Sequence, residues 1–160
     1  MKTILKHTVF WIWIIISFIS SGFSQGQATP KDAPQGYEQI LRRGAIAAIN
    51  NPEYVSAKDA DIRSNTWVLG VVIEGQARAY SLNLLNSHEV VNDQIGDTKF
   101  AAVWWPLANA AVVYDREYYG RTHTLEASGG LINASLIMRD DETNSYWSIM
   151  AKEIIGGELK

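Results

Sequence analysis

Cysteine is absent from this chain of 160 residues. That excludes a disulfide-stapled scaffold, a thiolate zinc or iron–sulfur centre, a CxxC redox pair and a cysteine nucleophile. Proline is scarce, with four residues, and there is no low-complexity tract, so collagen-like and proline-rich repeats are excluded as well. Charged residues make up 19% against 47% hydrophobic, a balance that packs a core rather than staying disordered. Long apolar runs are lacking too. The stretch Val9 to Ile19 counts 11 residues, short of the roughly 20 that cross a bilayer as a helix.

That apolar stretch has a different meaning. Lys2 and Lys6 precede it and the small or polar residues Ser20 to Gln25 follow it, which is the three-part pattern of a secretory leader. Residues 1–24 are therefore expected to be a signal peptide cut between Ser24 and Gln25, with Gly22 and Ser24 as the small residues before the cut. Trp11 and Trp13 are the features that would suit the rival reading, an uncleaved leader held at the membrane interface. The expected location is periplasmic or extracellular, with no membrane association after cleavage. The leader carries two lysines and no acidic residue, so the mature chain is two charges more negative than the −3 of the full sequence. An acidic domain without a Lys/Arg stripe excludes phosphate-backbone binding, so no nucleic-acid partner is expected. His7 leaves with the leader, and His88 and His123 remain for chemistry.

Residues 25–36 mix Gly, Gln, Pro, Lys and Asp without periodicity and read as a flexible spacer. Residues 37–160 fit one domain. Ile40, Leu41, Ala45, Ala48 and Ile49 recur at helical spacing before Asn50-Asn51-Pro52, which predicts an amphipathic helix. From Trp67 the pattern becomes β-branched and aromatic. Trp67 to Ile73 and Gln76 to Leu82 flank Glu74-Gly75, and Val90 to Ile95 and Lys99 to Trp105 flank Gly96-Asp97, two hairpin signatures. Further strands are predicted at Ala111 to Tyr114, Thr122 to Glu126, Ala134 to Met138 and Tyr146 to Met150, with a short helical turn at Leu82 to Ser87. The fold class is mainly β (α+β): an antiparallel sheet or barrel-like domain with one N-terminal amphipathic helix.

The densest polar cluster is His88, Glu89, Asn92 and Asp93. It is not a zincin motif, because Asn92 stands where the second histidine of HExxH belongs. His88 remains a candidate general base or metal ligand, with Glu89 as a second metal candidate and Asp93 and Arg116 as catalytic candidates. The structural alternative has His88 and Asn92 bonding backbone at a strand entry and Asp93 making the turn before Gly96. Ser128-Gly129-Gly130 could be a nucleophile on a turn or an anion nest, but Glu126 breaks the nucleophile-elbow pattern and a plain loop is the simpler reading. Asp140-Asp141-Glu142-Thr143 lacks the spacing of an EF-hand and reads as a solvated turn. His123, in a polar stretch, reads as a surface residue, and Asn133-Ala134-Ser135 is a sequon inside a predicted strand.

Several stretches in order carry a family resemblance: Leu69-Gly70-Val71 to Ala77-Arg78-Ala79-Tyr80, His88-Glu89-Val90-Val91-Asn92-Asp93, Pro106-Leu107 with Ala111 to Arg116, and Ser128-Gly129 through Asn133, Ser135, Met138, Thr143, Ser145, Trp147 and Ser148. Over roughly Ile46 to Leu159 the chain resembles the bacterial "domain of unknown function 3179" family, whose members are often exported. The family typically carries Tyr-Cys-Pro-Leu-Cys-Gly where this chain has Trp104-Trp105-Pro106-Leu107-Ala108-Asn109. Thiol chemistry at that place, metal or redox, is therefore not transferable, since Trp105 and Ala108 stand in for the cysteines. The family usually continues past Leu159, which raises the reading of a fragment with an exposed strand edge. The expected function is a non-catalytic or degenerate binding domain for a small molecule or protein, using Trp104, Trp105, Ser128 and Gly129. The competing expectation is a thiol-independent enzyme or metal protein built on His88. Neither sequence nor resemblance points to a particular cofactor.

Overall fold

The computed structural model describes residues 28–160, and the leader expected over residues 1–24 lies outside them. Two short strands open the domain, β1 (Glu38–Gln39) and β2 (Ile49–Asn50). The hairpin of β3 (Val68–Ile73) and β4 (Gln76–Ser81) turns through Glu74 and Gly75. Both turn residues have positive φ, 51° and 77°, as the tight hairpin turn requires. Helix α1 (Leu82–His88) follows directly, where a helical turn is predicted. The second hairpin pairs β5 (Val90–Ile95) with β6 (Thr98–Trp105). A 3-10 turn at Pro106–Ala108 leads into β7 (Ala110–Asp115). A ribbon of β8 (Glu117–Tyr118) and β9 (Arg121–Thr122) precedes β10 (Leu125–Ile132), β11 (Ser135–Asp140), β12 (Tyr146–Ser148) and β13 (Glu153–Gly156).

Two larger sheets result, a five-stranded one in the order β1-β10-β11-β12-β13 and a four-stranded one in the order β2-β5-β6-β7, beside the two-stranded β3-β4 and β8-β9. Pairing is antiparallel throughout except for β2 with β5. The mainly β, antiparallel class is thus the one the alternation of residues implies. β6 shows why. Ala101, Val103 and Trp105 face the core between the sheets, together with Leu125, Met138, Trp147 and Ile149. Their neighbours Phe100, Ala102 and Trp104 face the opposite side, where Leu85 of α1 and Val71 and Tyr80 of the first hairpin cover them. A strand with both faces covered reads as a continuous apolar run, and β6 does so from Phe100 to Trp105. A third cluster, Tyr37, Ile137 and Tyr146, seals the far face of the five-stranded sheet. Residues of the predicted spacer lie against that face: Asp32 pairs with Arg139 at 3.0 Å, and Pro34 packs on Gly156.

Four local expectations are corrected. Ile40 to Ile49 is not a helix but a sequence of turns ending in β2. Gly44 takes a positive φ of 71°, and the amides of Ile40 and Leu41 both donate to the Gly129 carbonyl at 2.9 and 2.8 Å, so tertiary bonds replace the helical ladder. Ser128-Gly129-Gly130 is no loop; it lies inside β10 at a bulge in the register with β11. His123 is buried, not superficial, and the Asp140 to Thr143 turn is solvated only at Asp141 and Glu142, since Asp140 and Thr143 are buried. Among the described residues no helix is long and apolar enough to cross a membrane.

Candidate functional site

A cavity of about 320 Å³ opens beside the core between the sheets, lined mainly by Ile40, Leu41, Ile46, Trp105, Leu107, Leu131 and Leu136. Its polar side chains are Asn86 and Glu89. Three sequence-distant stretches meet in it: the helix end carrying Glu89, the turn Pro106-Leu107, and Gly129-Gly130 of β10. An apolar cavity with a few convergent polar groups is the usual form of a small-molecule site.

Glu89 is the unusual member. It caps α1, its amide donating to Leu85 O at 2.8 Å and its carbonyl accepting from the Trp104 amide at 2.8 Å. These two bonds turn the chain from helix into β5 and force φ to 60° with ψ at −32°. Glycine makes such helix-end turns without strain, whereas a residue with a Cβ pays about 1–2 kcal/mol. The side chain it presents there is also costly. The carboxyl is buried, and its Oε2 has no hydrogen-bond partner. Desolvation pushes its pKa up from 4.5 to about 7, which leaves it near the midpoint of its titration at neutral pH. A strained residue holding a buried, poorly partnered carboxyl in a cavity wall has the physical marks of a functional group.

The glycines opposite it have a mechanical purpose. A Cβ on Gly129, whose φ is 81°, would overlap the Leu41 carbonyl, and one on Gly130 would overlap the Tyr37 ring. Without side chains there, β10 approaches Ile40 and Leu41 closely enough to hold them as a cavity wall. Ser128 supports the same bulge. Its Oγ donates to Ile137 O at 2.6 Å and accepts from Tyr37 Oη at 3.0 Å and from the Gly130 amide at 3.2 Å.

The other candidates disperse. His88 Nδ1 bonds the Ala47 carbonyl at 2.8 Å and does not line the cavity. Asp93 belongs to a second polar centre on the far side of the four-stranded sheet. There it accepts from Tyr80 Oη at 2.6 Å, from Tyr54 Oη and from the Gln94 amide at 2.7 Å, with Arg78 Nε 3.9 Å away. Burial and the Asp93 carboxylate push the Tyr54 hydroxyl up to about 12 and raise that of Tyr80 further. Arg116 donates from Nε to His123 O at 2.6 Å; burial lowers its pKa against the opposing charges of Glu142, Glu117 and Asp93. Trp104 and Trp105 are both buried and point to opposite faces of β6. Trp105 lines the Glu89 cavity, its Nε1 donating to Ala134 O at 3.3 Å. Trp104 donates to Asn86 Oδ1 at 2.9 Å and borders a separate depression with Trp67, Leu82 and Asn109. Sequence reasoning missed Asn86, Ile40, Leu41 and Leu131, which acquire their place only through packing.

Fold and site together define a two-sheet, mainly antiparallel β domain with an apolar cavity and a buried carboxyl in its wall. The chain belongs to the family described as protein of unknown function (DUF3179), which matches residues 43–160. That span contains Glu89, Trp105 to Leu107, and Gly129-Gly130, though not Ile40 and Leu41. No curated protein and no solved structure matches the chain.

Proposed function

We propose that this protein is an exported, non-catalytic binding domain. Its ligand is a small, mostly apolar molecule bearing one hydrogen-bond-donating or cationic end, which Glu89 meets. The observation that carries this reading is the buried Glu89 carboxyl oxygen without a partner on a residue lining a mainly apolar cavity. A ligand amine or hydroxyl would supply the missing donor, and the apolar wall would bury the remainder of the ligand. Binding is favoured over catalysis because neither His88 nor Arg116 lines the cavity beside Glu89. Export is supported by the composition of residues 1–24.

Calorimetric titration of the protein with octylamine and with octanol tests the reading. Saturable binding of octylamine is expected, weakened at least about tenfold by Glu89→Gln, the loss anticipated for one charge-assisted hydrogen bond. Octanol should bind more weakly and respond less to the substitution. Ile40→Arg, an exposed position on the cavity wall, should weaken both. Absence of saturable binding by either probe, or binding indifferent to both substitutions, overturns the proposal.

A further inference from the structure

We infer that His123, Asp140 and Glu142 form a site for a divalent first-row metal ion, separate from the Glu89 cavity. Their nearest ligand atoms all lie within 4.8 Å of one another. Asp140 ends β11, Glu142 stands two residues on in the turn, and His123 follows the β8–β9 ribbon, so the fold assembles the group from two distant stretches of chain.

The geometry of His123 carries the argument. The ring is 1% exposed. Its Nε2 lies 3.2 Å from the Tyr118 carbonyl, which can only accept, so Nε2 bears a proton. Its Nδ1 is buried and has no hydrogen-bond partner. The nearest carboxylate oxygen, Asp140 Oδ1, is 3.5 Å away without hydrogen-bond geometry. An imidazolium–carboxylate pair would close to about 2.8 Å along the N–H direction. A separation of 3.5 Å instead matches two donor atoms sharing one ion, since bonds of about 2.1 Å in a tetrahedral site set neighbouring ligands roughly 3.4 Å apart.

The surroundings hold each ligand in place. A metal-bound histidine commonly gives its second ring N–H to a backbone carbonyl, which is the role Tyr118 has. Asp140 Oδ2 accepts from Trp147 Nε1 at 2.8 Å, and its Oδ1 accepts from the Thr143 amide at 2.6 Å. Glu142 Oε2 accepts from the Thr124 amide at 2.7 Å, and the side chain is exposed, so it can close the remaining distance. One nitrogen and two carboxylates suit zinc or manganese, the positions left over going to water or a ligand. Arg116, the nearby basic residue, is directed through Nε to the His123 backbone carbonyl.

The test uses the full chain, stripped with chelator and titrated with Zn²⁺ and, separately, Mn²⁺ by calorimetry, with metal content measured after desalting. One equivalent of Zn²⁺ is expected, with a shift of the His123 Nδ1 nitrogen resonance. Glu142→Gln alters an exposed side chain and should leave the fold intact while weakening Zn²⁺ at least about tenfold. His123→Gln should abolish binding, with circular dichroism reporting whether it folds. Failure of Zn²⁺ and Mn²⁺ to bind saturably, affinity unchanged in Glu142→Gln, or a His123 Nδ1 resonance unmoved by Zn²⁺ overturns the proposal. Octylamine binding is read independently of all three.

Discussion

Asn92 and Leu125 hold the two sheets together by a reciprocal pair of hydrogen bonds: the Asn92 Oδ1 accepts the Leu125 amide at 3.0 Å, and its Nδ2 donates to the Leu125 carbonyl at 2.7 Å. The same Nδ2 reaches Asn50 Oδ1 at 2.7 Å. β5 belongs to one sheet and β10 to the other, so a single carboxamide satisfies the backbone where β10 begins. The arrangement needs one acceptor and one donor on the same planar group. Asn92→Asp keeps the shape but turns the donor into an acceptor facing two oxygens. It is expected to destabilise the fold by about 2–4 kcal/mol, the range for breaking a buried network and leaving polar groups unpaired. Asn92→Ala should cost a similar amount. Chemical denaturation checks both, and a loss under about 0.5 kcal/mol, the range of ordinary surface substitutions, would count against the bridge.

Glu89 makes stability depend on pH in a direction opposite to that of an ion-paired carboxylate. Its pKa is about 7 in the folded protein, against 4.5 for the unperturbed group. Between these values the folded state keeps the proton and the unfolded state releases it. The stability contribution is full below about pH 4.5, falls as pH rises through the window, and is lost above about 7. The total is on the order of 3 kcal/mol. Glu89→Gln, neutral at every pH, should be as stable as the wild type near pH 4 and more stable near pH 8. Urea midpoints of the two proteins at both pH values measure the difference, in which every other titrating group cancels.

Gly130 stands where the Tyr37 ring crosses β10. A methyl group there would overlap the ring, and the Tyr37 hydroxyl is tied to Ser128 Oγ at 3.0 Å and to Ser128 O at 3.2 Å. The ring cannot retreat without breaking these bonds. Gly130→Ala should therefore cost about 2–3 kcal/mol, as overpacking does in a filled interior, and should loosen the pairing of β1 with β10. A thermal melt reads the first effect. Faster amide exchange at Gln39 and Leu131, beside the β1–β10 pairs, reads the second.

How much of this could be read in the sequence follows the range of the interactions involved. Both hairpins and the short helix were legible, because a two-residue turn with glycine between alternating apolar runs is a local signal. Ile40 to Ile49 misled because its apolar spacing fits a helix equally well, while the groups that decide against one, the Gly129 carbonyl and the cavity wall, lie about ninety residues further on. His123 and Asp140 misled for the same reason. Each sits among polar neighbours in the chain, and each is buried only because the β8–β9 ribbon and the turn after β11 fold over Trp147. Of the cavity, Glu89, Trp105 and Gly129 stand out in the sequence, though on motif grounds. The strain at Glu89 and its missing hydrogen-bond partner emerge only in three dimensions.

The missing cysteines lead to the last prediction, because the two positions, Trp105 and Ala108, at which the family resemblance leads one to expect thiols differ physically. Ala108 is exposed in the 3-10 turn, and Ala108→Cys should leave stability within about 0.5 kcal/mol of the wild type. Trp105 is buried in the core between the sheets, bonds Ala134 O, and walls the Glu89 cavity. Trp105→Cys removes most of a large side chain from a packed site and should cost about 3–5 kcal/mol, as large-to-small changes at buried aromatics do. It should also enlarge the cavity and admit bulkier amines than octylamine. Introducing both thiols therefore does not by itself build a thiol site, since the surroundings of Trp105 are packed for an indole. Thermal denaturation of the two single variants separates the positions. Equal melting temperatures for the two would show that Trp105 contributes no more to the core than a surface residue.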